Sequence, residues 1–283
     1  MKRPQVVETV SDLRAVVREW RRQGLSVAMV PTMGALHDGH VSLTRIALER
    51  ADRCVVSIFV NPTQFAPTED LDKYPRQLAA DLDRLADAGV QLAFTPTAAE
   101  MYPQGFDAKV TIGGPSAGME TDFRPTFFEG VATVVAKLFL QTLPDCAVFG
   151  EKDYQQLCVV KKLCRDLDIP VEIIGAPTIR DTEGLAMSSR NAYLSPVELT
   201  QARQLNKILR KTAQALQLGA EPQETLDEAR RQIINAGFDG VDYVEARESN
   251  TLAPWRRDRD GRILVAARLG ATRLIDNVEI AAV

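Results

Sequence analysis

The sequence predicts an α/β protein in which a doubly wound parallel sheet is followed by a smaller α+β C-terminal domain. Three observations support this fold class. Helical patterns alternate with short β-rich runs over about the first 175 residues, the β-rich runs lack an in-out alternation, and the pattern changes after Pro177. Strands without that alternation are buried on both faces, as in a parallel sheet covered by helices. We therefore expect one domain over residues 1–178 and another over residues 179–283.

The first helix is predicted between a Ser11 cap and a Gly24 stop, because apolar residues between them recur at i, i+3, i+4 and i+7. Further helices are expected at Val41–Arg50, Gln77–Ala88, Gly130–Leu143 and Tyr154–Leu167. The alternating strands are expected at Val27–Val30, Val55–Val60, Val90–Phe94, Ala147–Phe149 and Val171–Ile174.

The C-terminal part begins with helical patterns at Pro196–Leu218 and Pro222–Ala236. Three β-like runs follow, at Val241–Ala246, Ile263–Leu269 and Thr272–Ile275. Helices followed by a run of strands predict a small α+β domain.

Composition narrows the class of protein. Of the 283 residues 45% are hydrophobic, which is enough for a substantial core, and the net charge is -4. Without a basic block, no nucleic-acid partner is expected. A charged amphipathic helix follows the N-terminal residues and no stretch nears the roughly 18 apolar residues of a membrane span, so we expect a cytoplasmic protein with no membrane partner. The four cysteines form no C-x-x-C pair and are expected to be reduced packing residues.

Both histidines of the chain lie in one tetrapeptide, His37-Asp38-Gly39-His40, directly after the apolar run Ser26–Pro31. A strand, a glycine-containing turn and a helix start in this order indicate a nucleotide phosphate site. The amides of a helix N-terminus attract anions, Gly39 lets the backbone approach a phosphate, and imidazole adds a donor. The alternative is that two ordinary surface or core histidines lie together by chance.

Two more polar segments follow predicted strand ends. The segment Asn61–Phe65 begins where a strand breaks at Pro62, and Gly150–Gln156 places Asp153 and Gln156 on one face of the opening turn of a helix. Ligands of parallel sheets bind beyond the carboxyl ends of the strands, so the three segments together favour one pocket. The second and third segments also have purely structural interpretations. Asn61-Pro62 is a common start of a turn, and Asp153 can act as a helix N-cap.

The segment Arg180–Asn191 is polar and has little periodicity, which predicts a mobile loop at a domain boundary. Its two hydroxyls followed by Arg190 are groups that bind phosphate oxygens, and such a loop closes once nucleotide is present. The alternative is an interdomain linker with one solvated arginine.

Taken in order, Pro31–His40, Phe59–Phe65, Phe149–Gln156 and Met187–Asn191 resemble the successive motifs of the pantoate-β-alanine ligase (pantothenate synthetase) family. The first motif alone is shared by the wider nucleotidylyltransferase and class I aminoacyl-tRNA synthetase superfamily, whereas the four in order are much more specific. The resemblance is firm to about residue 195 and loose through the tail. It implies a Rossmann-like fold of the nucleotidylyltransferase type, with the C-terminal domain as a lid over a nucleotide- and pantoate-binding domain.

The resemblance also implies an AMP-forming acid-amine ligase. The carboxylate of (R)-pantoate attacks the α-phosphorus of ATP, giving pantoyl adenylate and pyrophosphate, and the amine of β-alanine then displaces AMP. Because in-line attack brings two anions together, the site needs hydrogen-bond donors rather than a strong base. The catalytic residues carried over from the motifs are His37, Lys152, Arg190 and, as the principal donor, His40.

The remaining contacts are carried over residue by residue. The resemblance implies that Gln64 and Gln156 hold the hydroxyls and carboxylate of pantoate, with Met33 against its gem-dimethyl group. Neutral amides suit this task because they donate to a carboxylate without extinguishing its nucleophilicity. Tyr74 and Asp81 either border the pocket or lie on a helix surface. The expected ATP-binding residues are Met33, Gly34, Ala35, Leu36, His37, Asp38, Gly39, His40, Gly150, Glu151, Lys152, Asp153, Ile179 through its backbone, Met187, Ser188, Ser189 and Arg190.

Magnesium is expected with the triphosphate, held largely by phosphates and water, and the family is typically homodimeric. One segment departs from the family. Where a Gly-His pair is usual, this chain has Thr126-Phe127. The missing imidazole puts in doubt any nucleotide-binding role of that loop, and packing of Phe127 against the apolar helix Val131–Leu140 is the default expectation.

Two other functions remain open from the residues alone. A nucleotidyltransferase, such as a cytidylyltransferase, would stop at an activated product. A phosphorylated acceptor would, however, call for Arg or Lys where Gln64 and Gln156 stand. A nucleotide sensor would bind ATP without turnover, which the presence of His40, Lys152 and Arg190 argues against.

Overall fold

The computed structural model describes residues 3–66, 69 and 71–283. The described chain divides into two compact units. The first comprises the residues up to Ile112 together with Arg124–Glu151 and Val159–Pro177, and the second comprises Gly113–Phe123, Lys152–Cys158 and Thr178–Val283. The second unit thus includes two segments that precede residue 178, and the domain boundary predicted there stays a prediction.

The first unit is built on a sheet whose strands are β1 (Gln5–Val7), β2 (Val27–Thr32), β3 (Arg53–Ile58), β4 (Leu92–Phe94), β5 (Cys146–Gly150) and β6 (Glu172–Ala176). In the described ranges these six strands follow the order β1-β4-β3-β2-β5-β6, and neighbours pair in parallel. The predicted parallel sheet is confirmed.

Helices occupy segments between these strands: α1 (Val10–Arg22), α2 (Asp38–Arg50), α3 (Leu78–Asp87), α4 (Ala98–Met101), α5 (Glu120–Phe123), α6 (Phe127–Thr142) and α7 (Tyr154–Asp166). Ala28 and Val30 of β2 pack in one core cluster with Leu43 of α2. Met29, which alternates with them along β2, is also fully buried. Because both faces of the sheet are covered, its strands need apolar residues at successive positions.

The strand order reverses at β2, which pairs with β3 on one side and β5 on the other. In open α/β sheets, ligands bind beyond the carboxyl ends of the strands at such a reversal. The histidine turn follows β2, the Asn61 turn follows β3, and Glu151 follows β5. Three of the sequence motifs therefore begin at neighbouring strand ends.

The C-terminal part of the second unit contains α8 (Pro196–Ala202), α9 (Gln204–Gln217), α10 (Pro222–Asn235) and the strands β7 (Gly240–Glu248), β8 (Gly261–Leu269) and β9 (Thr272–Ile280). Among the residues described, these three strands form an antiparallel sheet in sequence order. Leu205 of α9 and Ile233 of α10 pack against Ile263 of β8 in one apolar cluster. The predicted α+β character of this region is confirmed.

Several predicted element bounds are wrong in detail. The cap of α1 is Thr9, whose side chain accepts from the Asp12 N–H, whereas Ser11 lies inside the first turn. The helical pattern Pro196–Leu218 is two helices that meet at Arg203. The elements β1, α4 and α5 were not predicted, because segments of three or four residues are too short to show a period.

The cysteines Cys54, Cys146, Cys158 and Cys164 are buried free thiols, as predicted. Burial raises the pKa of the Cys54 thiol above its usual range and that of Cys164 to about 11, so both stay protonated at neutral pH. Over the part of the chain that the structure describes, every helix is too short or too polar to cross a bilayer.

Candidate active site

The turn after β2 is shaped by two backbone positions and one buried carboxylate. Gly34 has a φ of 81° and Ala35 a φ of 50°. A Cβ on Gly34 would lie 3.1 Å from both an oxygen of Asp81 and the Ile58 side chain, and few L side chains adopt this φ, so both space and conformation favour glycine here. The chain can therefore reverse direction immediately beyond the sheet and start α2 at the strand end.

Asp81, in the first turn of α3, holds this turn in place. Its two oxygens accept from the N–H groups of Ala35, at 3.0 Å, and Leu36, at 2.8 Å, and the residue is 1% exposed. Tyr74 is 5% exposed and packs edge-on against Phe65. The helix-surface interpretation of Asp81 and Tyr74 is therefore wrong: both are buried, and Asp81 positions the histidine turn.

The two histidines form a capping box at the N-terminus of α2. His37 is the N-cap, and its Nδ1 accepts from the Gly39 N–H at 3.1 Å. His40 reaches back, and its Nδ1 accepts from the His37 N–H at 3.3 Å. The two ring centroids lie 4.1 Å apart. The imidazoles thus replace the side-chain oxygens that usually satisfy the first amides of a helix.

This arrangement sets the tautomer of both rings. A ring nitrogen that accepts a hydrogen bond carries no proton, so each neutral imidazole holds its proton on Nε2. Both histidines therefore present an N–H donor at Nε2, beside the positive end of a 13-residue helix. Asp38, the next residue, points elsewhere and pairs with Arg84 at the surface.

Asn61 organises the turn after β3. It is 1% exposed and caps the 3-10 turn Pro62–Gln64. Its Nδ2 donates to Gln64 Oε1 at 3.1 Å and to the Gly130 carbonyl at 3.2 Å, and its Oδ1 accepts from the Tyr102 hydroxyl at 2.7 Å. Burial raises the pKa of Tyr102, which keeps that hydroxyl a donor. From the sequence, Asn61 was open between a turn residue and a pocket residue, and its contact with Gln64 was not predicted.

Two residues predicted to bind pantoate meet in this turn. Because Gln64 Oε1 is taken by Asn61, the amide nitrogen of Gln64 faces Met33, with Nε2 at 2.8 Å from the sulfur. Gly130 of α6 packs directly under the turn, and a Cβ there would lie 2.5 Å from the Thr63 carbonyl oxygen. The glycine thus allows α6 to support the backbone of Gln64.

Phe127, where the sequence departs from the family, packs under an arginine. The guanidinium of Arg124 lies 3.7 Å above its ring, a stacking geometry that stabilises the cation. Arg124 also pairs with Glu69 at 2.6 Å and donates to the Gln64 carbonyl at 3.2 Å. Phe127 thus supports an arginine that holds the Gln64 turn, and its predicted packing against the helix Val131–Leu140 stays a prediction.

The segment after β5 begins with Gly150, where an added Cβ would meet nothing within 4 Å. Glu151–Asp153 form a 3-10 turn and α7 starts at Tyr154, so Asp153 precedes the helix instead of lying on its opening turn. The Lys152 side chain is 19% exposed, with Nζ 3.7 Å from Asp153.

Gln155, beside the predicted ligand Gln156, is 3% exposed and was missed by the sequence analysis. Its amide donates to the carbonyls of Pro115 and Gly118 and accepts from the Glu120 N–H. Gln155 thus fixes the start of α7 against the segment that precedes α5.

The segment Ile179–Asn191 contains local hydrogen-bonded structure that its lack of periodicity did not indicate. An antiparallel bridge joins Arg180 to Ala186, and the Met187 N–H donates to the Ile179 carbonyl at 2.9 Å. Ser188 then caps the 3-10 turn Ser189–Tyr193, which carries Arg190. The proposed contact between the Ile179 backbone and adenine stays a prediction, as does closure of the segment over nucleotide.

The structure brings some of the predicted residues of the first unit into contact with one another. In the first unit the two histidines adjoin each other and Met33 adjoins Gln64. The second unit contains Lys152, Asp153 and Gln156 together with Ser188, Ser189 and Arg190. Within the described residues, no group of three or more His, Cys, Asp or Glu side chains is placed to hold a metal ion.

Comparison with known proteins decides which family this geometry belongs to. The profile of the family described as pantoate-beta-alanine ligase matches residues 5–279. The chain belongs to the pantoate-β-alanine ligase family. The resemblance inferred from the four motifs, and with it the ligase class, is confirmed.

Individual members of the family align along nearly the whole chain. A pantothenate synthetase of Mesorhizobium japonicum is 72% identical over 280 residues, which cover 99% of each protein. The crystal structure of pantothenate synthetase from Thermus thermophilus superposes with a TM-score of 0.89 at 44% identity, covering 98% of this chain and 99% of that one. A structure of the Francisella tularensis pantoate-β-alanine ligase, complexed with beta-gamma ATP and β-alanine, superposes with a TM-score of 0.83 at 33% identity, covering 97% of each chain. The predicted nucleotidylyltransferase-type fold is confirmed.

Proposed function

We propose that this pantoate-β-alanine ligase works through an acyl adenylate. A carboxylate oxygen of (R)-pantoate attacks the α-phosphorus of ATP, and the bond to pyrophosphate breaks. The amine of β-alanine then attacks the acyl carbon, loses a proton and displaces AMP, giving pantothenate. A carboxylate is a poor acyl donor until its oxygen is made part of a good leaving group, so adenylation has to come first.

The observation that carries the proposal is the pair of imidazoles at the start of α2. Both use Nδ1 to accept backbone N–H groups, so both carry the donor on Nε2. Negative charge gathers on phosphate oxygens as attack proceeds, and preorganised donors beside a helix N-terminus stabilise it without reorganisation. In this proposal His37 and His40 act as hydrogen-bond donors to the triphosphate, with His40 foremost.

The Gln64 turn supports the assignment of pantoate to the same end of the sheet. Pantoate has a carboxylate, two hydroxyls and a gem-dimethyl group. Gln64 and Met33, which are in contact, offer an amide for its polar groups and an apolar thioether for its methyl groups. Asn61 fixes the amide orientation, so Gln64 presents its N–H₂ group. Gln156, on α7, is proposed as a second amide for pantoate.

The remaining phosphate contacts are assigned to Lys152 and to Ser188, Ser189 and Arg190. An ammonium and a guanidinium neutralise phosphate charge without removing protons, which suits a reaction that needs no strong base. The open space at Gly150 supports close approach of the nucleoside. Gly34, Ala35 and Leu36 contribute through the shape of their turn.

Magnesium, dimerisation and cellular location complete the proposal. Mg²⁺ keeps several waters and is commonly held through substrate phosphates, so we assign it to the triphosphate and not to a protein cage. It would supply charge neutralisation at the phosphates. A homodimer and a cytoplasmic location are proposed from the family resemblance and from the four reduced thiols.

The order of the two steps can be tested by isotope exchange. Pantoate and ATP, without β-alanine, should support exchange of labelled pyrophosphate into ATP, because adenylation is reversible and precedes entry of the amine. Strict dependence of this exchange on β-alanine would contradict the adenylate order. Release of ADP instead of AMP in the complete reaction would replace the adenylate by an acyl phosphate.

A further inference from the structure

Two adjacent residues of β9, Asp276 and Asn277, contact two different segments to which the proposed function assigns ATP phosphate contacts. They are 4% and 3% exposed, although both are polar. Asn277 contacts the segment at Lys152. Asp276 contacts Arg180, at the start of the segment that carries Arg190. All of these residues belong to the second unit.

Asn277 holds the backbone of Lys152. Its Nδ2 donates to the Lys152 carbonyl at 2.9 Å, and its Oδ1 accepts from Arg262 of β8 at 2.6 Å. The arginine therefore fixes which way the amide of Asn277 points, since its oxygen end is occupied by a cation. Buried amides held at both ends are rigid, because each alternative orientation leaves a polar atom unpaired.

Arg262 also contacts Tyr154, the first residue of α7. The guanidinium of Arg262 lies 3.9 Å over the ring of Tyr154, and the Tyr154 hydroxyl donates to the Ser249 carbonyl at 2.9 Å. Lys152 and Tyr154 are thus both attached to the C-terminal sheet, one through its carbonyl and the other through its ring.

Asp276 holds the second segment. It makes a bidentate ion pair with Arg180, at 2.7 and 2.8 Å, and accepts from Asn206 of α9 at 3.2 Å. Arg180 also donates to the Gly184 carbonyl, which closes the turn that leads to Ala186 and Ser188. Bidentate arginine pairs constrain orientation as well as distance.

We propose that Asp276 and Asn277 are positioning residues that hold the Lys152 and Arg180–Arg190 segments in a fixed relation for binding one triphosphate. The inference rests on the proposed function, because it gives these segments a common ligand. The C-terminal sheet then aligns two of the cationic groups assigned to the triphosphate. A misplacement of about 1 Å at a reacting centre costs up to about 100-fold in rate, so such alignment has a measurable effect.

The test is a double-mutant cycle on the Kd for ATP, measured by calorimetry with the full-length chain. Asn277→Asp keeps the oxygen that accepts from Arg262 but replaces the donor to Lys152 by an acceptor. Lys152→Ala removes the ammonium but keeps the carbonyl that Asn277 binds. Glu279→Gln is the matched control, since Glu279 lies on the same strand, pairs with the same arginine and is 75% exposed.

If Asn277 acts through Lys152, Asn277→Asp weakens ATP binding by about tenfold in the native background and by less than twofold in the Lys152→Ala background. Glu279→Gln leaves the Kd unchanged, and KM for pantoate is unaffected in all variants of Asn277. Asp276→Asn should likewise raise the Kd for ATP and increase hydrogen exchange across Arg180–Arg190.

Three results would overturn the inference. If Asn277→Asp binds ATP with native affinity while Lys152→Ala binds ATP more weakly, the positioning role is refuted and the proposed function is left intact. Equal losses in both backgrounds show that Asn277 acts on the fold in general. Native affinity in Lys152→Ala refutes the proposed role of Lys152 itself. If Asn277→Asp shows no cooperative thermal transition, Asn277→Ala is measured against the same criteria.

Discussion

Replacement of Asp81 gives the most direct test of how the histidine turn is built. Each of its oxygens accepts one backbone N–H, from Ala35 and Leu36, at a site that is 1% exposed. Asp81→Asn keeps the shape but leaves one oxygen, so one N–H bond is lost and its donor faces an NH₂ group. Asp81→Ala removes both partners.

The expected cost follows from the number of bonds broken. A hydrogen bond to a charged group contributes about 1.5–3 kcal/mol, and a buried N–H without a partner costs a similar amount. We expect Asp81→Asn to lower the free energy of unfolding by about 1.5–3 kcal/mol and Asp81→Ala by about twice that. These hydrogen bonds hold the turn that orients both imidazoles. The rate of pantoate-dependent pyrophosphate exchange into ATP should therefore fall by about 10- to 100-fold in Asp81→Asn.

The assay is urea unfolding at pH 7 combined with pantoate-dependent pyrophosphate exchange. Asp83→Asn is the control, because Asp83 lies on the same helix but makes an exposed pair with Arg3, for which less than about 1 kcal/mol is expected. If Asp81→Asn is no more destabilising than Asp83→Asn and keeps native exchange kinetics, the assignment of Asp81 as the support of the turn is wrong.

Three further predictions concern the donor, the stacked arginine and acid stability. His40→Asn keeps a side-chain acceptor for the helix cap but removes the Nε2 donor, so kcat should fall by about 100- to 1000-fold while thermal stability changes little. Phe127→Leu removes the ring beneath Arg124, worth about 0.5–1 kcal/mol, so KM for pantoate should rise about two- to fivefold. Burial opposes ionisation of Asp181, but hydrogen bonds from the Leu185 N–H and other donors outweigh it and hold its pKa below the usual value. Ionised Asp181 therefore stabilises the fold at pH values above its unfolded pKa of about 3.9, and this contribution is lost as the pH falls through the lower folded pKa. Asp181→Asn should be less stable than the native chain at pH 7 and nearly as stable as the native chain at strongly acidic pH.

Each of these predictions has a matched comparison. His40→Ala loses both the cap and the donor, so it should match His40→Asn in kcat but melt at a lower temperature; native kcat in His40→Asn would exclude the donor role. Phe127→Tyr keeps the ring and should keep the native KM, and an equal rise in both variants would count against the stacking explanation. Gln104→Ala, at an exposed site without an ionisable side chain, should differ from the native chain by the same amount at both pH values in urea unfolding. A stability difference between Asp181→Asn and the native chain that is the same at both pH values would contradict the linkage.

Much of the fold was accessible from the sequence because it rests on local patterns. Strands buried on both faces need apolar residues at successive positions, and amphipathic helices need a 3.6-residue period, so the parallel sheet and its long helices could be predicted. The caps were less accessible. Thr9 and Ser11 are both good capping residues within two positions of each other, and only the observed bond to Asp12 distinguishes them.

The candidate site was partly accessible for a related reason. His37, His40, Gln64 and Lys152 stand in motifs at strand ends, where chain order alone indicates ligand binding. Supporting residues gave no such signal. Asn61, Asp81 and Gln155 act on groups that are 3 to 69 positions away in the chain. An aspartate on a helix has the same local pattern whether it is buried or exposed.

The sequence by itself determined the order of the longer helices and strands, the family and the groups that are proposed to donate to a triphosphate. Only the tertiary structure decided how those groups are oriented. The tautomer of both imidazoles depends on backbone amides at the start of α2, the Gln64 amide on Asn61, and the Lys152 backbone on Asn277, which is 125 residues away. Hydrogen bonds depend on distance and angle in space, and separation along the chain does not reveal which buried donor will meet which acceptor.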